Sequence, residues 1–212
     1  MPDRRLIYFA DPMCSWCYGF APVIAAIRAE FGDALAIQLV MGGLRPGTTD
    51  PMTPKARENI LEHWTHVHEA TGQPFDASIL ADGFVYDTDP GARAVVLMRG
   101  HDPNLAIDYL ERAQTAFYAE ARDVTKPEVL GQLAAEFGFD PGPFAEAVAS
   151  NEDLKMTTWR DYAVSQRSGV SGFPTLVGGP DGEGRYGAIT RGYASAEDVL
   201  DVLRRWVAAP AA

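Results

Sequence analysis

The chain has 212 residues, of which 47% are hydrophobic and 22% charged, values that are ordinary for a soluble globular protein. Eighteen Lys and Arg stand against 29 Asp and Glu, and the net charge of −11 disfavours nucleic acid and anionic membranes as partners. Two cysteines can build neither a disulfide scaffold nor a four-cysteine zinc site, so redox chemistry or a mixed metal site remains for them.

No secretory signal is predicted at the N-terminus. The apolar run at 6–10 is interrupted at once by Asp11 and Pro12, which leaves it shorter than the roughly 7–15 apolar residues of such signals. No apolar run approaches the roughly 20 residues of a membrane-spanning helix. We therefore expect a cytoplasmic protein without a membrane partner.

The first 41 residues predict a strand, a helix and a second strand. Residues 5–10 are apolar and rich in strand formers, and residues 34–41 form a second such run that ends at two glycines. Between them, from about Ser15 to Phe31, apolar side chains recur at spacings of three and four, which is typical of a helix. A unit of this kind predicts parallel strands with a right-handed crossover.

The middle of the chain predicts helices separated by Gly, Pro and Asp. Helical stretches are predicted at 92–99, 105–121 and 126–137, and strand candidates are scarce. We predict a helical insertion over residues 51–155, and a main domain formed by residues 1–50 and 156–212.

The last segment predicts two strands and a helix. Residues 173–177 and 185–190 are expected to pair as an antiparallel hairpin. Ser195, with Asp198 three residues later, predicts the start of a helix. That helix is expected to bury the apolar side chains Val199, Leu203, Trp206 and Val207. The overall prediction is an α/β fold with a βαβ half, a helical block and a ββα half.

Cys14 and Cys17 lie where the first predicted strand gives way to the first helix. Backbone N–H groups and the helix dipole at a helix N-terminus favour a thiolate at Cys14. Cys17 lies one turn further on the same face, so the two sulfurs can join. We expect Cys14 to attack a disulfide and Cys17 to resolve the mixed disulfide. Trp16 between them is expected to offer an apolar rim for a substrate.

Asp11 and residues 191–193 have two interpretations each. Asp11 could take or relay the proton of Cys17, or it could cap the end of the strand before the helix, which we favour. Residues 191–193, Arg-Gly-Tyr, follow the last predicted strand and could lie near the cysteines or form an ordinary packed loop.

Segments 11–22, DPMCSWCYGFAP, and 172–175, GFPT, together resemble the thioredoxin superfamily, and within it the FrnE-like branch of the DsbA family. The resemblance implies a thioredoxin-like fold with a helical insertion, in which Pro174 is a cis-proline that faces the cysteines. It also implies that Cys14 is the nucleophile and that Cys17 resolves. In this arrangement the backbone of Phe173 is expected to pair with an extended substrate.

The resemblance implies thiol or disulfide substrates, either proteins or small molecules. It implies no cofactor beyond the redox-active disulfide and leaves glutathione open as a reductant. The Ser15-Trp16 dipeptide differs from that of thioredoxin and of periplasmic DsbA, and the second cysteine pair of some FrnE-like proteins is missing. Redox potential, direction of electron flow and oligomeric state therefore do not follow from it.

Two other functions remain open. Glutathione-dependent 2-hydroxychromene-2-carboxylate isomerases and kappa-class transferases share the fold, but a resolving cysteine such as Cys17 is of no use to them. A metal-binding or interaction protein is suggested by His63, His66 and His68. On a helix these side chains would flank the apolar stripe rather than converge, so we predict no metal site.

Overall fold

The computed structural model describes residues 4–209. A four-stranded sheet has the order β2-β1-β3-β4. Its strands are β1 (Arg5–Ala10), β2 (Ala36–Met41), β3 (Thr175–Gly179) and β4 (Gly187–Arg191). β1 pairs in parallel with β2 and antiparallel with β3, which pairs antiparallel with β4. The predicted α/β fold with βαβ and ββα halves is confirmed.

Eight α-helices connect and cover the sheet within the described residues. They are α1 (Ser15–Phe31), α2 (Pro54–Thr71), α3 (Asp89–His101), α4 (Pro103–Tyr118), α5 (Pro127–Ala135), α6 (Pro141–Ser150), α7 (Glu152–Arg167) and α8 (Ala196–Ala208). Helices α2 to α6 have proline in the first turn, where its missing N–H costs no hydrogen bond. Short 3-10 turns lie at Gly32–Ala34 and Ala77–Ile79. None of these helices is both long and apolar enough to cross a membrane.

Helix α7 ties the helical block to the sheet. The Asp161 carboxylate accepts from the backbone N–H of Met41 at the end of β2, at 2.9 Å. The same carboxylate binds the Arg99 guanidinium of α3 through two hydrogen bonds of 2.6 and 3.0 Å. The predicted domain boundary at residue 155 falls inside α7, and the division into two domains stays a prediction.

The last helix buries only part of its predicted stripe. Val199 and Leu203 are buried, as predicted, while Trp206 is half-buried. The prediction for Val207 is wrong, because this side chain is 42% exposed. It lies in the last turn of α8, where the Arg4 guanidinium covers the helix end by donating to the carbonyls of Trp206 and Val207.

Candidate active site

The two cysteines lie at the junction of β1 and α1. Cys14 is the N-terminal cap residue of α1, and its backbone N–H donates to the Asp11 carbonyl at 3.2 Å. Both side chains are free thiols. The fractional exposure is 7% for Cys14 and 0% for Cys17. A substrate can therefore approach the sulfur of Cys14, whereas the sulfur of Cys17 lies behind it.

Cys17 is surrounded by apolar side chains and by Tyr8, which is itself buried. Burial raises the pKa of the Cys17 thiol well above its usual value, and the hydrogen bond that it shares with the Cys14 sulfur raises this pKa further. Burial likewise raises the pKa of the neighbouring Tyr8 hydroxyl. This environment favours the neutral thiol of Cys17 over its thiolate.

The loop before β3 lies against Cys14. The Cys14 thiol is placed to donate to the Phe173 carbonyl, with a sulfur–oxygen distance of 3.6 Å, and the peptide bond between Phe173 and Pro174 is cis. The Phe173 ring lies over Gly42, where a Cβ atom would come within 2.2 Å of the ring. The structure thus brings the Phe173–Pro174 peptide to the more exposed of the two cysteines.

Asp11 joins the cysteine turn to the segment that follows β2. One carboxylate oxygen accepts from the Met13 N–H at 3.0 Å and the other from the Leu44 N–H at 2.8 Å. Burial raises the pKa of Asp11 from 3.8 to about 6, although these hydrogen bonds act in the opposite direction. Asp11 thus binds backbone N–H groups just after β1 and just after β2. A role in proton transfer to Cys17 stays a prediction.

Trp16 is half-buried beside the cysteines. Its ring centroid is 5.6 Å from that of Tyr193 and 6.5 Å from that of His63. The backbone N–H of Gly192 donates to the Pro174 carbonyl at 2.7 Å. Of the two interpretations for residues 191–193, the structure therefore shows the first, since this segment packs beside the site.

Tyr86 is a site residue that the sequence analysis missed. Its hydroxyl donates to the Met13 carbonyl at 2.8 Å and lies 3.3 Å from the hydroxyl of Tyr118. The Arg45 guanidinium lies over its ring, 5.2 Å from the centroid. No sequence pattern marks Tyr86, because it belongs to the irregular segment before α3 and meets the cysteine turn only through tertiary packing.

A cavity of about 420 Å³ opens beside Cys14. Its walls come from the cysteine turn, the segment after β2, helix α2, Tyr86 and the Phe173 loop. The lining residues are Met13, Cys14, Ser15, Trp16, Leu44, Arg45, Ala56, Asn59, Ile60, His63, Trp64, Tyr86 and Phe173. The size suits a small molecule or a short peptide segment.

The histidines of α2 lie on its solvent side. His63, His66 and His68 are exposed, while Trp64 and Val67 between them are buried. Across residues 4–209, no three His, Cys, Asp or Glu side chains are grouped in a way that could hold a metal ion. His63 alone reaches the cavity beside Cys14.

Comparison with known proteins gives a consistent family. The sequence model of the DSBA-like thioredoxin domain matches residues 5–201. A solved structure from Nitrosomonas europaea, described as a candidate protein disulfide isomerase, is 36% identical, with a TM-score of 0.88 over 96% of this chain and 97% of that chain. The cytosolic disulfide reductase DsbM from Pseudomonas aeruginosa is 30% identical, with a TM-score of 0.77 over 96% and 98% of the two chains. DsbM has also been solved with GSH.

More distant relatives differ in their described functions. The ClpXP adapter protein SpxH of Halalkalibacterium halodurans is 21% identical over 173 residues, which is 80% of this chain and 56% of that protein. The chain thus spans little more than half the length of the curated relatives that it matches. A 2-hydroxychromene-2-carboxylate isomerase is 13% identical, with a TM-score of 0.65 over 96% and 94% of the two chains, and shares the fold alone.

Proposed function

Because the chain belongs to the DSBA-like thioredoxin domain family, we propose that it is a thiol–disulfide oxidoreductase with Cys14 and Cys17 as its redox pair. The observation that carries this proposal is the unequal placement of two neighbouring sulfurs. Cys14 begins a helix at the edge of a cavity, whereas Cys17 is fully buried behind it. The Cys14 sulfur is therefore placed to meet the substrate, and the Cys17 sulfur is placed to meet only that of Cys14.

In the reducing direction, the Cys14 thiolate attacks one sulfur of a substrate disulfide, whose other sulfur leaves as a thiolate and takes up a proton. A mixed disulfide then joins Cys14 to the substrate. Cys17 loses its proton and attacks the Cys14 sulfur, which releases the second substrate thiol. The protein ends with a Cys14–Cys17 disulfide, and the substrate has gained two electrons and two protons. Oxidation of a substrate dithiol is the same sequence reversed.

The surrounding residues bind the substrate in this proposal. The Phe173 backbone next to Pro174 is placed to pair with an extended substrate, since the Phe173 carbonyl lies 3.6 Å from the Cys14 sulfur. The half-buried ring of Trp16 lines the same cavity and provides an apolar surface there. Asp11 holds the turn through Met13 and is the candidate for taking the proton of Cys17.

We further propose that the reaction takes place in the cytoplasm, with a glutathione-type thiol as reductant. The similarity to the cytosolic reductase DsbM, which has been solved with GSH, supports both points. The cavity beside Cys14 has room for a molecule of this size. A glutathione-dependent isomerase is less well supported, because such an enzyme has no use for the second sulfur of Cys17.

The test separates the two cysteines by mass spectrometry of the intact protein. Cys17→Ser, treated with glutathione disulfide, is expected to accumulate one glutathione adduct on Cys14. The wild type should instead lose two hydrogens as the internal disulfide forms. The ratio of glutathione to glutathione disulfide in the buffer sets the fraction of protein that is oxidised. Cys14→Ser keeps the buried thiol and serves as the matched control; it should react far more slowly. Full activity of Cys14→Ser, or an adduct on Cys17, would contradict the proposal.

A further inference from the structure

The charge of the cavity beside Cys14 is opposite to that of the chain as a whole. The chain carries a net charge of −11. Yet among the residues that line the cavity, Arg45 is the only permanently charged one, and neither Asp nor Glu is present. Ser15, Asn59 and His63 supply the other polar side chains. A site of this composition favours an anionic ligand over a cationic one.

The backbone of Arg45 is held by hydrogen bonds that leave the charge of its side chain unpaired. Its backbone N–H donates to the Thr88 hydroxyl at 3.1 Å, and its carbonyl accepts from the Thr88 N–H at 3.3 Å. Its guanidinium lies 5.2 Å from the ring centroid of Tyr86. The ion pairs of residues 4–209 use other cations throughout, so within this range Arg45 has no carboxylate partner.

The position of Arg45 is also tied to that of the reacting sulfur. Tyr86, which lies under the guanidinium, donates its hydroxyl hydrogen to the Met13 carbonyl, one residue before Cys14. The Asp11 carboxylate binds both Met13 and Leu44, the neighbours of Cys14 and Arg45. The Asp11 contacts thus place the backbone before Arg45 next to the cysteine turn, and Tyr86 links the guanidinium to the same turn. Arg45 is exposed, so its guanidinium is open to a ligand and can bind a carboxylate through two parallel hydrogen bonds.

We propose that Arg45 is a specificity-determining residue that binds a carboxylate of the substrate while the substrate disulfide meets Cys14. The inference rests on the proposed function and adds the substrate class, namely disulfides with a carboxylate close to the reacting sulfur. A small acidic disulfide such as glutathione disulfide has this chemistry, and so does a peptide with an acidic residue beside its cysteine.

The test compares three small disulfides, namely glutathione disulfide (anionic), hydroxyethyl disulfide (neutral) and cystamine (cationic). The second-order rate constant for oxidation of the reduced dithiol is measured for the wild type and for Arg45→Ala. The ratio of the two rates for each disulfide cancels its intrinsic reactivity. Loss of one charge-assisted contact predicts a rate about 5- to 20-fold lower with glutathione disulfide. The rate with hydroxyethyl disulfide should stay within about 2-fold, because it offers no carboxylate to the guanidinium. The rate with cystamine should not fall, because loss of Arg45 removes a positive charge that repels this cation.

Two further variants separate a specific contact from a general charge effect. Arg45→Lys keeps the charge but not the planar fork, so it should recover part of the loss. Arg160→Ala removes an exposed arginine of α7 that does not line the cavity, and should leave all three rates unchanged. An equal loss with all three disulfides in Arg45→Ala would overturn the proposal, since it would show a purely structural role.

A binding measurement keeps this inference separate from the proposed function. S-methylglutathione has the carboxylates of glutathione but no reactive sulfur, so calorimetric titration reports binding without turnover. Arg45→Ala is expected to weaken this binding about 5- to 20-fold. Equal affinity of wild type and variant would overturn the inference, even if the dithiol proves active. A dithiol that reduces none of the disulfides would contradict the proposed function alone.

Peptide disulfides distinguish the two sources of the carboxylate. A short peptide with either Asp or Ser beside its cysteine is joined through a disulfide to a small neutral thiol. Both disulfides are offered to the wild type and to Arg45→Ala. A preference for the Asp peptide that disappears in the variant identifies a protein substrate. If only glutathione disulfide shows the Arg45 effect, the carboxylate belongs to a small molecule.

Discussion

Replacing Asp11 by asparagine is expected to change how the stability of the protein depends on pH. The Asp11 side chain is fully buried, and burial raises its pKa from 3.8 to about 6. The folded protein therefore holds a proton on Asp11 in a pH range where the unfolded chain has already released it. The free energy of unfolding consequently falls as the pH rises from about 4 through about 6.

The magnitude follows from the two pKa values. Each pKa unit is worth about 1.4 kcal/mol, so the full difference corresponds to about 3 kcal/mol. Most of it, about 2–3 kcal/mol, is lost by the wild type between pH 4 and pH 7. Asp11→Asn has no proton to release at this position, so its free energy of unfolding lacks this decrease. The difference between wild type and variant isolates the contribution of Asp11 because the other titrating groups largely cancel.

The assay is urea unfolding of both proteins, with the cysteines reduced, at half-unit steps from pH 4 to pH 7. Asp76→Asn is the matched control, because the hydrogen bonds from Ser78 lower the pKa of Asp76 below its ordinary value of 3.8. The stabilising contribution of Asp76 is lost only as the pH falls below about 4. Between pH 4 and pH 7, the free energies of unfolding of Asp76→Asn and the wild type should therefore differ by a constant amount. Parallel pH curves for the wild type and Asp11→Asn would refute the reasoning.

Two more substitutions test the packing around the site and in α8. Gly42→Ala places a methyl group within 2.2 Å of the Phe173 ring, so it should displace the ring and lower the free energy of unfolding by about 1–3 kcal/mol. Gly172→Ala, with open space at its Cβ position, should be close to neutral. Urea unfolding measures both. Leu203→Ala removes a fully buried side chain of α8 and should cost about 2–5 kcal/mol. Val207→Ala, at the exposed end of the same helix, should stay within about 0.5 kcal/mol in the same assay. Equal losses of unfolding free energy in the two glycine variants would contradict the packing of Phe173 on Gly42. Equal losses in the two α8 variants would contradict the difference in burial along that helix.

Local patterns predicted the elements that hold the cysteines. β1 and α1 begin and end at the residues that the sequence indicated, Arg5–Ala10 and Ser15–Phe31. Both rely on contacts between near neighbours, namely a short apolar run and a helical repeat of buried side chains. The last strand was less well predicted, at 185–190 instead of Gly187–Arg191. Its side chains are mostly exposed or half-buried, so no alternation of buried and exposed residues marks its ends.

By itself, the sequence determined the α/β order of elements, the place of Cys14 at a helix start and that of Cys17 one turn later. It also indicated Pro174 and Phe173, through a motif shared with a known family. Only the tertiary structure decided what surrounds the Cys14 sulfur. Arg45 and Tyr86 reach the cavity from separate segments. Their meeting depends on how those segments pack against the cysteine turn, and such long-range contacts leave no periodic pattern in the chain.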